Sequence, residues 1–226
     1  MIRLVVGLGN PGKEYERTRH NAGFWLVERF AQAKGVVLRK DPKFKALVGK
    51  TAEGVWLLQP QTYMNLSGQP VQMLAGFFKI KPDEVLVVHD ELDFAPGVAR
   101  VKQGGGIAGH NGLKDISQRL ATHEYWRLRI GVGKPQPGRE GADYVLEKPP
   151  AEEKSAIDAA IDKCLGVLPQ ILSGDMQGAM NKLHTEEKPP APPKKEPEKK
   201  APEKKEPPAE APKKEGLLSG LFGRKK

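Results

Sequence analysis

Four short apolar runs in this chain break off into polar, glycine-rich loops: "IRLVV" into "GLGNPG", "VWLLQP" into "QTYMNLSG", "EVLVV" into "HDELD", and "GVARVK" into "QGGGIAGHNG". Runs of this length, rich in β-branched residues, read as strands, and those with no polar alternation as strands buried on both faces. Between them lie helical patterns. "NAGFWLVERFAQAKG" carries Phe24, Val27, Phe30 and Ala31 at helical spacing with Gly35 as a stop. "QPVQMLAGFFKI" has Pro70 near its first turn, and "NGLKDISQRL" is amphipathic. "KALVGKTAEGVWLLQP" reads as two strands joined at Glu53-Gly54, "YWRLRIGVG" as a further strand, and 151–173 and 175–184 as helices. Interleaved strands and helices predict an α/β fold, a single domain with a mixed, largely parallel sheet flanked by helices.

Composition sets the domain boundary. Residues 187–215 hold only Pro, Lys, Glu and Ala, which cannot bury enough surface to offset their ordering entropy. We expect a folded domain over 1–186 and a disordered C-terminal tail over 187–226. Of the net charge of +9, the tail supplies +5, which leaves a mildly basic folded part suited to a polyanionic partner without requiring one. No stretch approaches ~18 apolar residues, so no transmembrane span is expected. The N-terminal apolar run is too short for a signal peptide. The single cysteine, Cys164, precludes an internal disulfide, fits a reducing cytoplasm, and reads as a buried structural thiol.

Gly7, Gly9 and Gly12 form a G-x-G-x-x-G after the first strand. A dinucleotide site would need a helix opening at the third glycine and an acidic residue about 20 positions on. Here Pro11 removes a backbone donor, "KEYERTRH" follows without an apolar stripe, and the next strand begins only near Ala46. A Gly-Pro turn explains the glycines but not the polar residues Asn10, Arg19, His20 and Asn21 around them.

In open α/β sheets, ligands sit outside the carboxyl ends of the strands. That rule gathers Asn10, His20, Asn65, Asp90, His110 and Asn111 on strand-end loops that could converge on one face. Each has a plainer reading: an Asn beside Gly turns the chain, a lone His packs or is solvated, and "HNG" enters a helix. The chain holds no G-x-S-x-G, H-E-x-x-H, cysteine pair or P-loop. His20, His89 and His110 have no metal-ligand spacing, and no metal or cofactor is called for. What remains is a histidine with a carboxylate and several amides, a set suited to general-base activation of water.

The stretches "VGLGNPGKEYERTRHNAG", "QPQTYMNLSGQPV", "VVHDELDFAPGVARVKQGGGIAGHNGLKDI" and "RLRIGVGKP" are long, collinear and span residues 1 to about 185. Together they closely resemble bacterial-type peptidyl-tRNA hydrolase. The resemblance implies a monomeric, metal-free cytoplasmic enzyme that hydrolyses the ester between a peptide and the 3′ ribose of tRNA. It implies that His20 is the catalytic base and that Asp90 supports it, with Asp93 as the rival carboxylate. Asn10 would distinguish N-blocked from free aminoacyl-tRNA. Tyr15, Tyr63, Asn65, Asn111 and His110 would contact the tRNA or the peptide end, and Lys102 and Arg129 would clamp the tRNA 5′ phosphate. A non-catalytic RNA-binding role stays open on these residues alone. The tail departs from the family pattern. Its closing "GLLSGLFGRKK" would present an apolar stripe followed by positive charges, suited to docking on a ribosome or an anionic surface.

Overall fold

The computed structural model of the chain describes residues 1–184. The expected disordered tail and its apolar tip lie outside the described residues. Seven strands form one sheet in the order β2-β3-β4-β1-β5-β7-β6. They are β1 (Leu4–Gly7), β2 (Arg39–Asp41), β3 (Ala46–Lys50), β4 (Trp56–Pro60), β5 (Val85–Glu91), β6 (Ala99–Gln103) and β7 (Trp126–Gly131). The four central strands β4, β1, β5 and β7 run parallel, while β2 and β3 on one side and β6 on the other run antiparallel to their neighbours. This is the mixed, largely parallel sheet with a hairpin edge that the apolar runs call for.

Helices cover both faces. They are α1 (Ala22–Ala33), α2 (Gly68–Phe77), α3 (Asn111–Leu120), α4 (Gly141–Val145), α5 (Ala151–Ser173) and α6 (Met176–His184). The period-2 alternation of the strands divides the core. Val5, Leu57, Leu86, Val88 and Leu128 pack with Leu26, Val27, Ile157 and Ile161 of α1 and α5. Leu4, Val6, Leu58, Val85 and Val87 pack on the other face with Val71, Leu74, Leu113 and Ile116 of α2 and α3. Cys164 is buried in α5 and free, and burial pushes its thiol up to about 12, so it packs rather than reacts.

Two elements are absent from the sequence reading. The β2 segment is "RKD", exposed and without apolar alternation, and exists as a strand only because it pairs with β3. The five-residue α4 is too short to show periodicity. The buried Arg19 anchors it: its guanidinium lies 4.0 Å from the Tyr144 ring centre and donates to the Tyr144 and Glu147 carbonyls.

The four polar loops reach one end of the sheet by unequal routes. The loops after β1, β4 and β5 emerge there directly, because those strands are parallel. The fourth follows β6, which runs the other way: Gln103 pairs with Trp126, whereas Ala99 pairs with Ile130 beside Asp90. The 104–110 segment must therefore run back along the sheet to bring His110 to the end where Asp90 lies. The carboxyl-end rule thus holds for three loops, and the glycines of "QGGGIAGHNG" serve the return of the fourth.

The opening glycine motif is explained by close packing. α1 starts against the ends of β1 and β5, and a Cβ on Gly23 would lie 2.3 Å from the Val88 carbonyl oxygen and 2.4 Å from the Leu8 nitrogen. Gly7 faces the Gly23 carbonyl and Gly9 faces the Phe24 ring in the same contact. Because both neighbours of Gly23 are backbone, neither can yield without moving a strand. Gly23→Ala should destabilise the protein by about 3 kcal/mol, the upper range for overpacking. Urea unfolding measures this, and a change below about 1 kcal/mol would show that the junction tolerates a methyl group.

Candidate active site

His20 lies in a single 3-10 turn, Arg19–Asn21, that joins the β1 loop to α1. Arg19 fixes one side of the turn through the α4 contacts and an ion pair to Glu153 at 2.7 Å. Asn21 fixes the other: its Oδ1 accepts from the Asn10 nitrogen, and its Nδ2 donates to the Asn10 carbonyl, both at 2.9 Å. The imidazole held between them is buried and meets Asp90 at the end of β5. His20 Nδ1 lies 2.9 Å from Asp90 Oδ1 and 3.0 Å from Oδ2.

A second imidazole binds the same carboxylate. His110 Nε2 lies 3.1 Å from Asp90 Oδ1. His110 is also the N-cap of α3, and its Nδ1 accepts from the Gly112 and Leu113 nitrogens at 3.2 and 3.4 Å. An acceptor nitrogen carries no proton, so Nε2 holds the hydrogen and donates it to Asp90. With Asp90 as acceptor, His20 donates from Nδ1, and its Nε2 is left with a free lone pair. The chain of donors thus runs from the α3 N-terminus through His110 into Asp90, and from His20 into the same carboxylate. His89 lies beneath, with Nδ1 donating to the Asp90 carbonyl at 2.6 Å. Burial drives its pKa down to about 3, which keeps it neutral.

The electrostatics follow from these contacts. Burial opposes ionisation of Asp90, but the two imidazoles and their hydrogen bonds outweigh it and hold the carboxyl well below the ordinary carboxylate range. Burial alone would lower the His20 pKa. The charge of Asp90 and its hydrogen bond overcome that and raise it. The ligand atoms of His20, Asp90 and His110 lie within 4.8 Å of one another, close enough to suggest a metal. The hydrogen bonds account for the spacing instead: each imidazole touches Asp90 directly, and the His110 nitrogen facing it carries a proton.

Asp90, not Asp93, faces His20. Asp93 is exposed and pairs with Lys134 at 2.8 Å. Asn10 is buried, and its Oδ1 accepts from the Met64 nitrogen at 2.7 Å, which orients its Nδ2 donors away from that contact. This bond also ties the β1 loop to the 3-10 turn Met64–Leu66, where Tyr63 and Asn65 are exposed. Asn111 opens α3 beside His110 and shares with His20 and Asp90 a pocket of about 360 Å³. A separate cleft of about 850 Å³ is lined by Asn10, Phe24, Trp25, Glu28 and Gln59. Tyr15 is half-buried in the turns after Gly12 and lines neither space. Lys102 is exposed on the β6 edge. Arg129 lies 3.7 Å from Glu91 and over the Phe94 ring at 4.6 Å, so its charge is partly answered within the protein. His89 and Arg127 also line the smaller pocket. Neither is among the sequence-derived site residues, although the alternation of "WRLRIG" places Arg127 and Arg129 on one face.

An α/β sheet with a carboxylate-bound histidine at the carboxyl ends of its strands, one ring nitrogen free and amides beside it, is the framework of a hydrolytic enzyme. A family model for peptidyl-tRNA hydrolase matches residues 4–191. The chain is 54% identical over 197 residues to peptidyl-tRNA hydrolase of Leptothrix cholodnii, covering 86% of this chain and 92% of that one. It is 53% identical over 196 residues to that of Cupriavidus metallidurans, covering 82% and 99%. The crystal structure of peptidyl-tRNA hydrolase from Acinetobacter baumannii matches with a TM-score of 0.77 at 48% identity, over 80% of this chain and 94% of that one. The chain belongs to the peptidyl-tRNA hydrolase family.

A reaction that uses neutral His20 must wait for its proton to leave. Because Asp90 raises that pKa, activity should climb with pH through a midpoint above the ordinary imidazole value. Asp90→Asn removes the negative charge, so the midpoint should fall while the plateau rate drops. A pH–rate profile of both proteins checks this, and a midpoint unmoved in Asp90→Asn would contradict it.

Proposed function

We propose that this protein cleaves the ester between a peptide, or an N-blocked aminoacyl group, and the 3′ ribose of tRNA, with His20 as general base. The observation that carries the reading is the free Nε2 of a histidine whose Nδ1 is tied to buried Asp90. In this reading, Nε2 takes a proton from water as the water oxygen attacks the ester carbonyl. Asp90 stabilises the imidazolium that forms. The amide of Asn111 faces the developing oxyanion, and Asn10 reads the blocked amino end. The tetrahedral intermediate then expels the ribose oxygen, which receives the proton from His20, and the products are a peptide carboxylate and a tRNA with a free 3′ hydroxyl. An ester has a good leaving group, so no cofactor is needed.

The layout across the sheet supports the assignment of the two substrate ends. Basic residues on β6 and β7 lie to one side of His20, which suits tRNA phosphates and supports reading Lys102 and Arg129 as contacts of the acceptor stem. The larger cleft beyond Asn10 lies to the other side, above β4 and β1, and suits the peptide. Exposed Tyr63 and half-buried Tyr15 are placed to stack on unpaired bases. We take the protein to act as a cytoplasmic monomer. Docking of the 187–226 tail on ribosomes or anionic surfaces is an expectation outside the described residues.

Mixing the protein with N-acetyl-aminoacyl-tRNA and with free aminoacyl-tRNA tests the reading, which predicts fast release only from the first. His20→Ala should lower kcat by about 10²–10⁴-fold, the usual worth of a general base, with tRNA affinity nearly kept. Near-normal turnover by folded His20→Ala would end the assignment. Asn10→Ala should narrow the gap between the two substrates, and an equal loss on both would reduce Asn10 to its bond with Met64.

A further inference from the structure

Arg127 is a buried cation whose charge is offset only at longer range, by Glu91 and Glu124. It is 3% exposed, and one guanidinium nitrogen, Nη1, donates to the Gly106 carbonyl at 2.8 Å. Its Nε and Nη2 are buried and have no hydrogen-bond partner. No carboxylate forms an ion pair with it among the described residues. A buried charged donor without a hydrogen-bond partner is costly, so the arrangement calls for an external partner.

The surroundings define that partner as an anion. Arg127 is the register partner of Lys102 across β6 and β7. Both cations turn toward Gly105: a Cβ built there would lie 2.7 Å from Lys102 Nζ and 3.1 Å from Arg127 Nη2. Two positive groups therefore converge on one small volume at a glycine whose φ of +88° disfavours any side chain that would fill it. That volume adjoins the pocket that also holds His20, Asp90, His110 and Asn111. Any anion bound there lies beside the reacting ester. On a substrate whose 3′ ribose is esterified, the nearest anion is the phosphodiester of that same nucleotide, a ribose away from the reacting oxygen. The 5′ phosphate of the acceptor stem lies several unpaired nucleotides further off.

We propose that Arg127, assisted by Lys102, binds the phosphodiester of the nucleotide that carries the ester, and so sets the register of the ester against His20. This rests on the tRNA-ester reading above, and goes beyond it by assigning a second phosphate contact: Lys102 turns to that phosphate beside Arg127, and the acceptor-stem 5′ phosphate is left to Arg129. A guanidinium suits the role because it can present two parallel donors to two phosphate oxygens.

The test is a binding measurement that needs no turnover. Cytidylyl-adenosine is compared with its neutral methylphosphonate analogue by NMR titration of the full-length protein. The analogue keeps the shape and removes one charge. The unsubstituted protein should bind the charged dinucleotide about tenfold or more tighter, as one charge-assisted contact implies. In Arg127→Gln the ratio should fall toward one, and Arg127→Lys should recover part of it. Thermal melting establishes that each variant folds. If Arg127→Gln does not fold, Lys102→Ala at the exposed strand edge carries the test, with a partial fall in the ratio. In a separate arm, removing the 5′ phosphate from N-acetyl-aminoacyl-tRNA should cost folded Arg127→Gln, or Arg127→Lys in its place, as much in kcat/KM as it costs the unsubstituted protein, because different phosphates are involved. The proposal is overturned by equal affinity for the two dinucleotides in the unsubstituted protein, by no binding of either, or by a charge preference that survives in Arg127→Gln. It is also overturned if the 5′-phosphate penalty disappears in the Arg127 variant. Failure of the hydrolysis reading itself would show instead as no ester cleavage by the unsubstituted protein.

Discussion

Asp90 is a fully enclosed carboxylate at the end of a central strand, and the rest of the site is arranged around keeping it charged. An isolated carboxylate in that position would take up a proton rather than stay ionised. Two imidazole donors hold it instead, and one of them, His110, is itself oriented by the first amides of α3. Helix, loop and strand are thus linked through one side chain. The consequence for His20 is specific: its Nδ1 is committed to Asp90, and the lone pair of Nε2 is the group left to act.

That dependence explains why several distant features share one purpose. Gly7 and Gly23 let α1 begin against the sheet, and the beginning of α1 is where His20 stands. Arg19 and Asn21 grip the same turn from either side, through Glu153 and Asn10. Asn10 in turn anchors the Met64 turn, so His20 and the exposed Tyr63–Asn65 segment are positioned by one network. In the proposed reaction the strand order sorts the substrate: peptide space above β4 and β1, ester at β1 and β5, phosphate contacts at β7 and β6.

Much of this was legible in the chain. The spacing in "NGLKDISQRL" marks α3, and the apolar run "EVLVV" marks a buried strand ending at His89 and Asp90. The choice of Asp90 over Asp93 came with the family resemblance, and geometry gives it a reason, since Asp93 turns outward to Lys134. The role of His110 was not legible. It depends on a loop that runs back against the direction of β6, and nothing local encodes the antiparallel placement of that strand. The burial of Arg127 was not legible for a related reason. Alternation shows that it shares a face with Arg129, but its burial is created by residues 104–109 folding over it. The "RKD" strand and the five-residue α4 are likewise products of tertiary pairing rather than of local preference.

The chemistry of the site turns on which nitrogens carry protons. Long-range ¹H–¹⁵N correlation spectra of the histidine side chains, recorded above the His20 titration, read this directly. His20 should appear as the Nδ1–H tautomer, the less common form in free imidazoles, and His110 as the Nε2–H tautomer. Finding His20 with its proton on Nε2 would mean that no lone pair faces the cleft, and would contradict the account.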